Sequence, residues 1–294
     1  MTQESSIKEV NKMKRGFVGI LMGNRKFIIG FIIFIVILMG AIIAHQTIPF
    51  KYSRTGAFPP GLPPGVENIL GTDSLGRGID VQLAEAVVNS VQIGLIAALI
   101  GTLVGAVIGF TSGYYGGIID AMLRVLMDVF LSIPSLLFLI LIASLMRGVT
   151  VQGMALIIAL FAWPSPARQI RAQVLSLKER AFVDMAMLSG MSKMEIITRE
   201  LVPHMFQWMS ANFVNATLAA MLAESGLSIL GLGPQNEMTL GMMIYWALSY
   251  AAVFRGMWWW WGSTVFTLTS IFISLYLLHL GFDEVINPRM RSKI

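Results

Sequence analysis

Residues 27–44 read FIIGFIIFIVILMGAIIA, a run with no charged, amide or hydroxyl side chain. A helix that crosses the bilayer needs about 20 mainly apolar residues, so this run with its flanks predicts a membrane-spanning helix. The residues before it are mainly polar and hold Lys8, Lys12, Lys14, Arg15, Arg25 and Lys26. A cleaved signal peptide has a short basic start and an apolar stretch of roughly 7–15 residues. The order here predicts instead a cytoplasmic tail, 1–26, and an anchor helix. Composition agrees: of 294 residues, 56% are hydrophobic and only 13% charged, about half the charge of a typical soluble domain. Mean hydropathy is +0.74. Too few polar residues exist to cover a water-soluble enzyme, and a disordered chain needs the opposite balance. Cysteine is absent, which removes disulfides, thiolate metal sites and cysteine nucleophiles.

Outward from that run, the remaining spans read as gaps between ionisable residues. They are Val91–Phe110 within the gap 86–119, Val129–Met146, Gly148–Ala167, Leu201–Ala223 and Gly256–Phe282. The expectation is an all-α, polytopic membrane protein with six transmembrane helices and both termini cytoplasmic. Met238–Phe254 is also uncharged, but it is short enough to be re-entrant or interfacial. Six spans leave only Lys51, Arg54, Arg77, Arg147 and Arg255 outside among 21 basic residues, as the positive-inside rule requires. A seventh span would move Arg289, Arg291 and Lys293 outside, so six is preferred. The expected organisation is a first helix 27–44, an external loop 45–90, a five-helix core 91–282 and a cytoplasmic tail 283–294. The external loop is rich in proline and glycine around Pro59–Gly65.

Residues 168–206 form the one large cytoplasmic loop, and about 39 residues are too few for an independent core. Two helical pieces are expected there, with Gly190 as a C-cap and Ser192 as an N-cap. Phe182, Met185, Ala186 and Ser189 make an apolar face on one, and Met191, Met194, Ile197 and Leu201 on the other. A helix lying on lipid usually carries a strongly basic polar face. This one mixes Asp184 and Glu195 with Lys193 and Arg199, which favours docking into a partner protein.

These residues carry a resemblance. Asp184-Met-Ala186, then Gly190 and Met191, then Pro203, is similar to the EAA loop of binding-protein-dependent ABC importer permeases. Gly71-Thr72-Asp73-Ser-Leu-Gly76-Arg77 resembles the external signature of the dipeptide/oligopeptide branch, in its C-type subunit. Arg168, Arg171 and Leu175 resemble its lead-in to the loop. Glu224 to Gly233 and Asn287-Pro288-Arg289 match two further segments, so the resemblance covers nearly the whole chain. It implies the type I ABC importer transmembrane fold in the prokaryotic inner membrane. It also implies an ATPase-coupling role for Asp184, Ala186, Gly190, Met191, Pro203, Arg168 and Arg171. The implied partners are a second homologous permease forming a heterodimer, two ATP-binding subunits and an extracytoplasmic solute-binding protein. Membrane lipid surrounds the chain and no nucleic acid is involved. No cofactor is expected on this chain, with ATP and Mg on the partner subunits. Departures occur at Asp184, Met185, Gly78, Glu200, Val202 and Leu240-Gly241, and they leave the substrate open between peptides and oligosaccharides.

Each feature also has a plainer reading. Arg168 and Arg171 suit positive-inside anchors as well as a partner interface. Gly101, Gly105, Gly109 and Gly113 lie on one helix face, a row that lets helices approach closely or lines a path. Glu224 is an ionisable residue in a span and a candidate path residue, or a structural pair. Trp258, Trp259, Trp260 and Trp261 suit an aromatic belt; Trp258 and Trp259 are also candidate path residues that could stack on a sugar ring. No catalytic or metal residue is assigned: His45, His204 and His279 are dispersed, and no phosphate loop or hydrolase motif occurs. A secondary transporter is the alternative, and it would need inverted repeats and midplane charge.

Overall fold

The computed structural model describes residues 17–66, 68–146 and 148–286. The start of the expected N-terminal tail, Arg147 and the Asn287-Pro288-Arg289 match lie outside the described residues. Within them the chain is helical, and its one β-bridge is the antiparallel pair Thr72–Gly78.

After a short helix α1 (Phe17–Leu21), Asn24 caps α2 (Arg25–Thr47), its side chain accepting from the Lys26 and Phe27 N–H groups at 2.9 and 3.1 Å. Only Gly30 and Ala41 of α2 are buried, whereas Ile29, Ile32, Val36, Met39 and Ile43 are exposed. Such an apolar surface on all sides suits lipid and not water. Glycine sets the one buried seam. A Cβ on Gly30 would meet Ser274 O at 2.6 Å, and one on Gly281 would meet Phe27 Cβ at 2.6 Å. Both contacts join α2 to α12 (Trp258–Ile286), whose Glu284 also holds Lys26 Nζ at 2.5 Å.

Helix α3 (Ile79–Tyr115) is the axis of the fold. Its 37 residues extend about 55 Å, well beyond the roughly 30 Å hydrocarbon layer. It begins at Ile79 rather than near Val91, so the end of the expected loop 45–90 is helical. The glycine row is a packing seam: a Cβ on Gly101, Gly105, Gly109 or Gly113 would come within 2.6–2.9 Å of Ala162, Pro166, Ala167 or Val174. These partners lie at the end of α6 (Val151–Ala162) and along α7 (Pro164–Leu177).

Prolines divide two of the expected spans. Helices α4 (Gly117–Ser132) and α5 (Ser135–Leu145) meet at 76°. Pro134 forces Ile133 out of the helical region, and Ile133 has φ −80° and ψ 127°. Pro164, which has no N–H to donate, takes the first position of α7 and separates it from α6, although Trp163 before it stays right-handed helical at φ −85° and ψ −30°. Arg168 and Arg171 therefore sit inside α7, not in a loop. Next come α8 (Ala181–Leu188) and α9 (Lys193–Glu195), then a π-helical turn Ile196–Leu201 and α10 (Val202–Ile229). Helix α11 (Leu240–Ser249) has ten residues, about 15 Å. It is too short to cross a bilayer by itself.

Among the described residues, α2, α3 and α12 are each long and apolar enough to span a bilayer, with the bent α4–α5 pair as a fourth if taken together. The other expected spans are broken, as α6–α7, or polar, as α10 with Asn212, Asn215 and Glu224.

Candidate functional site

At the C-terminal end of α3 the chain folds into an elbow. Helix α8 ends at Gly190, whose φ of +78° suits glycine, with Gly190 N–H donating to Met187 O and Met191 N–H to Ala186 O. Ser192 then starts α9 with a capping box: its hydroxyl accepts from Glu195 N–H, and its own N–H donates to the Glu195 carboxylate at 2.9 Å. These hydrogen bonds hold the Glu195 carboxyl below its usual range, the backbone bond from Ser192 being the largest cause. Pro203 has no N–H to donate and would clash with the carbonyl four residues before it. The chain relieves this by widening Ile196–Leu201 into the π turn.

The elbow has two faces. Val183, Ala186, Ile196, Ile197 and Leu201 are buried against Ala106, Phe110, Ile170 and Val174. Phe182 stacks on His204 at 4.4 Å, and Lys193 Nζ lies 5.5 Å from the centre of the Tyr115 ring. On the other face Leu188 is 84% exposed, Met185 64% and Met194 61%; Asp184, Gly190 and Pro203 are exposed too. Sequence periodicity put Met185 with Ala186 on one apolar face and Met194 with Ile197 and Leu201 on another. The structure separates them, with Ala186 inward and the two methionines outward.

The two arginines point into their own chain. Arg171 makes a bidentate pair with Asp120 of α4, Nε–Oδ1 2.5 Å and Nη2–Oδ2 2.6 Å, and the Ser112 hydroxyl donates to the same carboxylate at 2.5 Å. That triad clamps α7 to α3 and α4. Arg168 pairs with Asp128 in a more exposed setting, where an ion pair contributes about 0–1 kcal/mol.

At the opposite end of α3 the residues of the external signature form a brace. Asp73 is fully buried, and its carboxylate accepts from Leu75 N–H (2.8 Å), Arg77 N–H (2.9 Å), Arg77 Nε (2.6 Å) and Gln82 Nε2 (3.1 Å). Thr72 Oγ1 donates to Pro59 O and accepts from Leu62 N–H. Gly71 and Gly76 turn the backbone at φ +76° and +71°. Trp259 Nε1 donates to Thr72 O at 3.1 Å, and Arg255 donates to Ser74, joining the brace to the start of α12. Trp260 is fully buried and Trp258 is 62% exposed.

Glu224 is fully buried among hydroxyls. Ser228 and Ser90 donate to it at 2.7 and 3.2 Å, and Ser90 accepts from Leu240 N–H at 3.0 Å. The carboxylate thereby ties α10, α3 and the start of α11 together. Glu85 accepts from Met238 N–H and Glu237 from Val151 N–H nearby.

A groove of about 210 Å³ lies between α5, the α6–α7 break and α10, lined in part by Ser135, Ser165, Gln169, Asn212 and Asn215. Sequence reading missed it because it scored spans by charge, and these side chains have none. Their signal was present: Asn212 and Asn215 share one face with Ala216, Ala219 and Ala223 at helical spacing. Among the described residues no group of three or more His, Asp or Glu side chains is placed to hold a metal.

The profile of the binding-protein-dependent transport system inner membrane component family matches residues 86–292. This range contains the elbow, the groove and Glu224, and it starts within α3 after the brace. The oligopeptide transport system permease protein OppC of Escherichia coli K12 is 35% identical over 223 residues, covering 74% of this chain and 72% of that protein. The OppC protein of Mycobacterium tuberculosis is 28% identical over 271 residues, 92% of each. Resemblance at single motifs thus extends to most of the chain, and the chain belongs to the family of binding-protein-dependent transport system inner membrane components.

Proposed function

We propose that this chain is the non-catalytic permease subunit of an ABC importer for peptides, and that partner ATPases drive it through the α8–α9 elbow. One observation carries the reading. Met185, Leu188 and Met194 project from an elbow whose other face is fixed to α3, α7 and α10 by Val183, Ala186, Ile196 and Leu201. A capped, anchored helix with bare apolar side chains on its outer face has the form of a helix-in-groove ligand. Closure of the ATPases then shifts the permease between two states to the extent that they grip the elbow differently in each. The assembly holds a second, homologous permease, two ATPases carrying ATP and Mg, and a solute-binding protein outside. Six crossings with both termini inside place the elbow at the cytoplasmic face. Peptides are favoured over oligosaccharides because the relatives are named for oligopeptides. Two of the four tryptophans are engaged within the chain, Trp259 on Thr72 and Trp260 in the core, while Trp258 and Trp261 are exposed.

Substituting the outer face tests the reading without disturbing the inner one. Met185→Glu with Leu188→Glu is expected to leave membrane insertion unchanged and to abolish substrate-stimulated ATP hydrolysis in the reconstituted assembly. Stimulation at the unsubstituted level would refute it.

A further inference from the structure

We propose that Gln169, Asn212 and Asn215 form a neutral amide lining of the solute path that binds the main chain of a peptide and is indifferent to its side chains; this rests on the permease reading above. Gln169 and Asn215 are exposed, Asn212 is half-buried, and all three border the groove between α5, the α6–α7 break and α10. An exposed amide on a helix surface that meets hydrocarbon is costly, so this face belongs against solute, water or protein. Two of the three are held from behind. Asn212 Nδ2 donates to Trp208 O at 3.0 Å, which leaves its carbonyl oxygen as a free acceptor, and Gln169 Nε2 donates to Ser165 Oγ at 3.1 Å. Each has hydrogen-bonding capacity left over. A side-chain amide offers one carbonyl acceptor and two N–H donors, the complement of a peptide unit's N–H and C=O. Ser135 and Ser165 add hydroxyls that donate or accept.

The remaining lining is alanine, proline and aliphatic side chains with one phenylalanine. No lining residue is charged, so no side-chain charge on the solute is selected or repelled. Alanines along α10 leave room for side chains of different size. A sugar site would present aromatic faces for stacking, and a site for an ionic solute would present the opposite charge. The groove's one aromatic ring, Phe161, is tilted against Phe130 and Phe138, and none of its lining side chains is charged.

The test uses the complete assembly with its ATPases and solute-binding protein, in vesicles, with tripeptides that differ only in a central Lys, Ala or Glu. Asn215→Asp is expected to favour the Lys peptide over the Glu peptide by about fivefold or more, given roughly 1 kcal/mol for a charge pair at contact even in water. Gln169→Glu, on the facing helix, is expected to do the same. Asn215→Leu with Gln169→Leu is expected to slow uptake of all three peptides about five- to a hundredfold, at 0.5–1.5 kcal/mol for each of two hydrogen bonds lost. Recovery of the second permease and of both ATPases with the chain should be unchanged. Unaltered uptake and preference in both acidic variants would overturn the proposal. Loss of the second permease from the purified assembly would also overturn it, assigning the amides to the subunit interface. Absence of peptide uptake by the unsubstituted assembly would instead overturn the permease reading itself.

Discussion

Asp73 is a charge that the fold uses up. All four of its hydrogen bonds come from its own segment 75–82, and the guanidinium of Arg77 lies beside it, largely buried. Asp73→Ala would leave Arg77 without its partner and is expected to cost about 3–5 kcal/mol. A lowered melting temperature in detergent, with protease cleavage gained between 50 and 78, would register that loss; an unchanged melt would count against the brace. Glu195 behaves differently because it is exposed. Its folded pKa is depressed by the Ser192 hydrogen bonds, so the cap's contribution is present above the ordinary value of 4.5 and is lost as pH falls through the folded value. Amide hydrogen exchange at residues 192–195 is expected to be slow at pH 7 and to quicken as pH falls below the ordinary value of 4.5, beyond its intrinsic pH dependence and relative to the exposed ends of the elbow. Glu195→Gln should remove most of the pH-linked part. Equal protection across that range, corrected for intrinsic rates, would show that the box does not hold the elbow.

Among elements, the α3–α7 seam shows most directly how glycine spacing becomes tertiary structure. Gly109→Leu must displace Ala167 O and Ile170, which lie 2.7 and 2.8 Å from the position of an added Cβ. It is expected to destabilise by about 1–3 kcal/mol or more. Gly40→Ala on α2 meets nothing within 4 Å and should leave the melting temperature unchanged or slightly raised. Equal melts for the two variants would deny the seam. The four-residue glycine repeat, the Gly190 cap, the Ser192 start and the apolar runs were all legible in the sequence, because each is a local pattern with a local cause. The bends were not read, although Pro134 and Pro164 mark them. Counting uncharged residues treats a helix pair at 76° as one rod. Long-range pairing was not legible either: neither Arg171 with Asp120 nor Glu224 with Ser90 leaves a mark in sequence spacing. Arg168 and Arg171, which suited positive-inside anchors as well as a partner interface, pair with Asp128 and Asp120.

At the scale of the whole molecule, α3 runs from the brace at one end to the elbow at the other, and the groove and the Glu224 latch lie along its length. The elbow packs against α3, α7 and α10, and the Arg171–Asp120 clamp ties α7 in turn to α4. This attachment is what a subunit moved by a separate motor needs. The absence of cysteine makes the decisive measurement simple, since any introduced thiol is the chain's only one. Leu188→Cys, at the exposed tip of the elbow, is to be probed with a short bifunctional thiol reagent in the active assembly, beside Phe254→Cys, which is 94% exposed near the opposite end. The account predicts a crosslink from position 188 to an ATPase subunit, altered by nucleotide, and none from position 254. An assembly that imports solute while position 188 never reaches an ATPase would contradict it.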